Sequence, residues 1–325
     1  RPNLTIQANA LTECVLFEGK RCTGVRYRHK GATIEAKATR EIVVSAGAIN
    51  SPQLLELSGI GQAERLNSLG IEVQHELPGV GENLRDHYAP RMKWTVPESL
   101  GITYNVKGRG VRLVWEALKY AFTDRGLLGM SAAPLRAFIR TRPGLEAPNA
   151  VIGWVPFFMT ENFKLSDRSG VTAFMHILRS ESTGNIHLKS ADPTAPPAIN
   201  FNFLSAQLDR DVTLESMRIA RNVMTSPALQ GIITEEVAPG IDMDDDETLL
   251  DWVRQTAETT YHPVGTCKMG SDAMAVVDDR LRVHGVEGLR VADASIMPTL
   301  TSGNTNAPSI MIGEKCSRMM LADIP

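Results

Sequence analysis

Two strand–loop–helix passages set the limits on what this chain can fold into. In the first, residues 41–47 (Glu-Ile-Val-Val-Ser-Ala-Gly) form a short apolar strand ending in small residues, and a helix is predicted over 50–57. Ser51 stands where a cap is needed and Pro52 at an early helical position, where its fixed φ is no burden. Small residues at a strand's carboxyl end, beside the following helix, form the usual ligand crevice of an α/β sheet. A plain strand–turn–helix connection reads the same way. The second passage runs from an apolar strand at 289–291 through Asp293, Ala294 and a polar loop into a helix over 309–320. That helix is marked by Ile312, Cys316, Met319 and Met320 at helical spacing. Strand, polar loop and helix start in that order present backbone N–H groups to an anionic or carbonyl-rich ligand.

Residues 259–270 (Thr-Thr-Tyr-His-Pro-Val-Gly-Thr-Cys-Lys-Met-Gly) hold the most constrained of the seven histidines. Pro263 restricts the backbone at His262 to an extended or turn conformation, and Gly265 lets the chain turn closely behind it. An imidazole fixed at a strand end or turn suits a general base. A core or surface histidine beside a Pro-Gly turn is the competing reading, and one histidine does not decide between them.

A chain of 325 residues can bury a large core, with room for about two domains. A formal net charge of -3 gives no electrostatic case for nucleic acid or anionic lipid. Cys14, Cys22, Cys267 and Cys316 show no metal-binding spacing, so reduced thiols in a cytoplasmic protein are expected, with peripheral membrane association left open. No run approaches the ~18 apolar residues of a membrane span, and no signal peptide is visible. The chain opens in a predicted strand without Met, as a fragment does.

Strands are predicted at 4–8, 13–17, 24–28, 32–38 and 71–77, with a short helix over 63–69. Gly79 and Gly81 read as a turn, because Leu84 stands where G-x-G-x-x-G needs its third glycine. From Tyr88 the character changes. Residues 111–122 predict a helix whose stripe of Val111, Val114, Trp115, Leu118 and Phe122 packs on a core. Strands follow at 150–159 and 172–179, with 185–188 pairing back through the turn at 182–184. A long helix over 208–223 turns Leu208, Val212, Leu214, Met217 and Ile219 inward. The acidic run 244–247 reads as the solvated start of a helix to 256 rather than a metal site, since adjacent carboxylates diverge.

These residues carry a family resemblance. His262 in its His-Pro-Val-Gly-Thr-Cys-Lys-Met-Gly run, 291–298 (Val-Ala-Asp-Ala-Ser-Ile-Met-Pro) and 304–315 (Asn-Thr-Asn-Ala-Pro-Ser-Ile-Met-Ile-Gly-Glu-Lys) resemble the C-terminal signatures of the glucose–methanol–choline (GMC) flavoprotein oxidoreductases. Residues 47–61 resemble that family's second signature, and 78–87 and 190–197 fit as well. The flavour is that of the choline-dehydrogenase-like or alcohol dehydrogenase branch.

The resemblance implies an α+β/α/β fold. An incomplete FAD-binding domain (sheet plus helices) over 1–87 joins a substrate domain with an antiparallel sheet covered by helices over 88–284, which contributes His262; residues 285–325 return to the first domain. It implies FAD as cofactor and oxidation of an alcohol to a carbonyl, with His262 as base and Asn306 as the second polar group on the substrate oxygen. It sets Ala46 and Gly47 against the flavin nucleotide, Asp293 and Ala294 near the pyrophosphate and ribityl chain, Ala307 and Pro308 along the flavin ring, and Leu11 on the adenine side. The partners implied are a small alcohol and an electron acceptor (quinone, dye or oxygen), with no metal, nucleic acid or transmembrane segment. The family's Gly-rich βαβ fingerprint is missing from this chain. The expectation is therefore that the chain by itself binds FAD weakly or not at all and is inactive, its parent protein being the dehydrogenase. A hydroxynitrile lyase on the same scaffold and a flavin-free binding or scaffold module are the alternatives.

Overall fold

A computed structural model describes residues 1–131, 133–159 and 164–323. Contacts sort the chain into two units: Arg1–Asp86, Ser180–Ser205 and Tyr261–Pro325 in one, His87–Arg179 and Ala206–Thr260 in the other. The first unit opens with β1 (Ala10–Glu18), β2 (Arg21–His29) and β3 (Ala32–Lys37), an antiparallel sheet joined by tight turns. Next come β4 (Ile42–Val44), α1 (Gly47–Leu57), β5 (Ile60–Gly61), α2 (Ala63–Ser68) and β6 (His75–Glu76). The chain then builds β7 (Tyr88–Ala89), β8 (Arg91–Thr95), α3 (Tyr104–Lys107), α4 (Gly110–Thr123), β9 (Leu135–Ile139), β10 (Ala150–Val155) and β11 (Gly170–Ile177) of the second unit. It returns to the first for β12 (Asn185–His187) and β13 (Ala198–Asn200), and to the second for α5 (Gln207–Met224), β14 (Glu235–Ala238), α6 (Asp246–Thr256) and β15 (Glu258–Thr259). Strand β16 (Leu289–Val291) and helix α7 (Asn306–Ala322) end the first unit.

The second unit is organised by an antiparallel sheet in the order β14-β8-β11-β10-β9, with α5 packed on β10 and β11. The periodicity of α5 is met: Val212, Leu214 and Met217 are buried, and Leu208 and Ile219 are half-buried. The acidic run starts α6, where the Asp245 carboxylate accepts hydrogen bonds from the N–H groups of Glu247 and Thr248.

Several local expectations give way to long-range pairing. Residues 4–8 form no strand, and Leu4 and Ile6 are exposed. Of 71–77 only His75 and Glu76 pair, in parallel with Ile60 and Gly61. Strand β12 pairs with β13 rather than with the strand before it. It also packs on α1, where His187 lies between Glu56 (2.7 Å) and Glu82 (3.0 Å). Residues 180–205 and 261–284 therefore group with the first unit, whereas the sequence reading drew its lines at 87 and 284. Helix α4 forms as expected, but its apolar stripe faces outward and only Glu116 is buried.

The C-terminal helix is held by charge as well as by Ile312 and Cys316 in the core. Arg290, buried on β16, donates to Glu41 (2.6 Å) and Asp323 (2.6 Å). The hydrogen bond from Arg290 holds the Asp323 carboxyl below its ordinary range. A depressed carboxylate pKa stabilises the fold above the ordinary value of about 3.9 and loses that contribution as pH falls through the folded value. The end of α7 is therefore expected to loosen on acidification, and Asp323→Asn to remove that part of the pH dependence. Amide exchange along residues 306–322 at stepped pH checks this; an unchanged acid limb in the variant contradicts it.

Candidate active site

The site starts where two short parallel strands end. β4 and β16 pair in register from Ile42–Leu289 to Val44–Val291, and both run out at their carboxyl ends into small residues. Asp293, only 8% exposed, joins them. Its Oδ2 accepts hydrogen bonds from Gly47 N (2.9 Å) and Ser51 Oγ (2.5 Å), and its Oδ1 accepts from Ser295 N (2.7 Å). Ser51 is thus a link inside α1 and not its cap; it accepts from Ala46 N (3.0 Å) and donates to Asp293. Ser45 and Ala46 are exposed, Gly47 has φ +85, and a Cβ added there would meet nothing within 4 Å. The strand end therefore opens onto free space, as a nucleotide cradle needs. Residues 294–296 form a 3-10 turn packed against α1 and α7, and Asp293 ties that turn to Gly47 at the strand end.

The His262 segment is clamped from two sides. Gly265, Cys267 and Met269 donate backbone hydrogen bonds to the carbonyls of Ala294, Ser295 and Ile296 (3.3, 2.9 and 2.8 Å). Arg85 and Val264 exchange backbone bonds on the other side, and the His262 N–H donates to Asp86 Oδ1 (2.9 Å). Gly265 has φ +95, and a Cβ there would stand 2.4 Å from the Asn83 carbonyl oxygen, so the turn admits only glycine. The imidazole Nε2 lies 2.8 Å from Asn304 Nδ2. With that amide donating, Nε2 carries no hydrogen and its lone pair is held by Asn304, so a substrate hydroxyl has to displace that amide before the imidazole can act as a base.

The other expected residues divide. Asn306 and Ala307 are exposed at the first turn of α7 and Pro308 is half-buried beside them. Leu11 is 41% exposed on β1, which packs on α1. The amide that meets His262 belongs to Asn304, two residues before the expected Asn306. Asp86, which fixes the His262 backbone, was also not singled out. The Asn-Thr-Asn run offers both asparagines; only the start of α7 between them separates their roles.

Fold and site together define a mixed α/β protein with a strand-end crevice and a turn-held histidine. The chain belongs to the GMC oxidoreductase family: profiles described as GMC oxidoreductase match residues 1–89 and 180–313. It is 44% identical over 323 residues to the oxygen-dependent choline dehydrogenase of Pseudomonas fluorescens, a match covering 97% of this chain and 56% of that protein. The oxygen-dependent choline dehydrogenase of Chromohalobacter salexigens is 42% identical over 330 residues, with the same coverage of 97% and 56%. Among solved structures, pyridoxine 4-oxidase from Mesorbium loti matches with a TM-score of 0.84 at 26% identity, covering 100% of this chain and 60% of that one. A formate oxidase matches at 0.90 and 26% identity, covering 99% and 62%. The chain spans 56% of the length of these curated relatives.

Proposed function

We propose that this chain is part of an FAD-dependent alcohol oxidoreductase in which His262 takes up the proton of the substrate hydroxyl. The observation that carries the reading is the 2.8 Å approach of His262 Nε2 to Asn304, beside the strand end that Asp293 ties together. The open space at Gly47 and the small, exposed Ala46 and Ala307 fit a flavin nucleotide, with Asp293, Ala294, Pro308 and Leu11 as further holding positions. On this reading 1–87 and 285–325 are the flavin side and 88–284 the substrate side. When bound, FAD supplies the hydride acceptor. The substrate hydroxyl displaces the Asn304 amide from Nε2, His262 takes the proton there, and the released Asn304 NH₂, which cannot titrate, donates to the developing alkoxide. Asn306 is the second polar group available to the same oxygen. The relatives named above make choline and similar small alcohols the first substrates to try.

The test is an alcohol panel, choline included, offered to the complete flavoprotein with a dye acceptor and then with oxygen. Failure of every alcohol to bleach the flavin under anaerobic conditions sinks the proposal. Removing the orienting amide in Asn304→Ala is expected to lower kcat by roughly tenfold or more, more than Asn306→Ala does. Equal effects of the two variants contradict the role given to Asn304. These 325 residues contain no G-x-G-x-x-G turn, so the pyrophosphate lacks a glycine-loop cradle within them. The chain expressed by itself is expected to purify with well under one flavin per chain; stoichiometric yellow absorbance overturns that.

A further inference from the structure

Helix α4 of the second unit carries its apolar side away from the body. Val111 is 85% exposed, Val114 60%, Trp115 68%, Leu118 47% and Phe122 84%. At about 100° per residue these five fall on one narrow stripe. The opposite side is the anchored one: Glu116 is buried and its Oε2 accepts from the Leu127 N–H (2.8 Å). Exposed Leu128 and Met130 continue the apolar surface beyond the helix. A soluble domain rarely leaves such a stripe bare without a partner.

The charges indicate which partner. Residues 104–130 hold Lys107, Arg109, Arg112, Lys119 and Arg125 against only Glu116 and Asp124, in a chain whose formal net charge is -3. Arg109 pairs with Asp167, whereas Arg112, Lys119 and Arg125 form no ion pair among the described residues. Arg112 and Lys119 project about 85–105° from the centre of the apolar stripe, on one flank of it. Beside the stripe a cavity of 280 Å³ is lined by Gly101, Lys107, Val111, Arg112, Trp115 and Glu116. It sets two cations next to two apolar side chains. A phosphate head on an acyl stem has that chemistry, and a helix with Trp and Phe on one side and Lys and Arg at its edge is the form that lies in a bilayer interface. The balance of the whole chain hides this local basic stripe.

We infer that α4 is a membrane-docking helix that seats Trp115 and Phe122 at the acyl boundary of an anionic phospholipid surface, with Lys107 and Arg112 on the headgroup phosphates. This goes beyond the catalytic proposal and does not depend on it. Flotation of the full chain with phosphatidylcholine vesicles, with and without phosphatidylglycerol, tests it. Binding is expected only with phosphatidylglycerol, with a blue shift of tryptophan emission, loss at high salt and no competition from inorganic phosphate at matched ionic strength. Lys107→Glu/Arg112→Glu is expected to weaken binding by about tenfold or more, and Trp115→Ser/Phe122→Ser to abolish it. These positions are not in the core, and an unchanged thermal midpoint shows that the variants fold. Three outcomes overturn the inference: no vesicle binding by the folded chain, equal binding by the Trp115→Ser/Phe122→Ser variant, or a dimer that this variant dissociates while vesicles stay unbound. The last assigns the face to a second copy.

Discussion

His262→Gln is expected to lower kcat for alcohol oxidation by about 10²- to 10⁴-fold in the complete flavoprotein, with the visible flavin spectrum unchanged. The imidazole is the titrating group that the Thr259–Gly270 turn presents beside Asn304, and neither asparagine can accept a proton at neutral pH. Glutamine keeps a polar side chain near the Asn304 amide, so binding and folding are spared while the base is lost. The loss should sit in kcat more than in KM, because the proton moves only on the way to the transition state. The limb of the kcat/KM profile belonging to the base should vanish with it. A variant that keeps that limb and loses less than about tenfold in rate removes His262 from the chemistry and returns it to the reading of a braced turn residue.

Asp293→Ala is expected to be the most damaging substitution for stability. The carboxylate accepts from Gly47 N, Ser51 Oγ and Ser295 N, all at 2.5–2.9 Å. Each donor left unsatisfied in a buried place costs about 1–3 kcal/mol, so the three together cost about 3–9 kcal/mol. That is a large part of the ~5–15 kcal/mol that separates folded from unfolded chains. Asp293→Asn should cost less, about 2–3 kcal/mol, because one carbonyl oxygen remains while the new NH₂ group faces a donor. Urea midpoints of the two variants check the order. If Asp293→Ala unfolds at the wild-type midpoint, the carboxylate is not the tie between α1 and the 294–296 turn.

The sequence went far where the signal is local. Helical spacing placed the buried sides of α5 and α7, Asp245 announced the start of α6, and Pro263 with Gly265 marked the turn that holds His262. Asp293 was singled out from its place after a strand. Its bonds to residues some 240 positions earlier were not foreseen.

What the sequence alone determined is where the longer helices run and where a histidine is pinned, since those follow from side-chain periodicity and from the narrow φ choices of Pro and Gly; strands were read less well, because pairing partners decide them. The tertiary structure alone decided the partners: Asn304 rather than Asn306 at His262, β13 rather than β11 at β12, and the outward turn of the α4 stripe. Amphipathicity says that a helix has two faces, but which face meets the body depends on groups far away in sequence. In α4 the side that meets the body is the one carrying the buried Glu116, bonded to the Leu127 N–H, and the apolar side is the outer one.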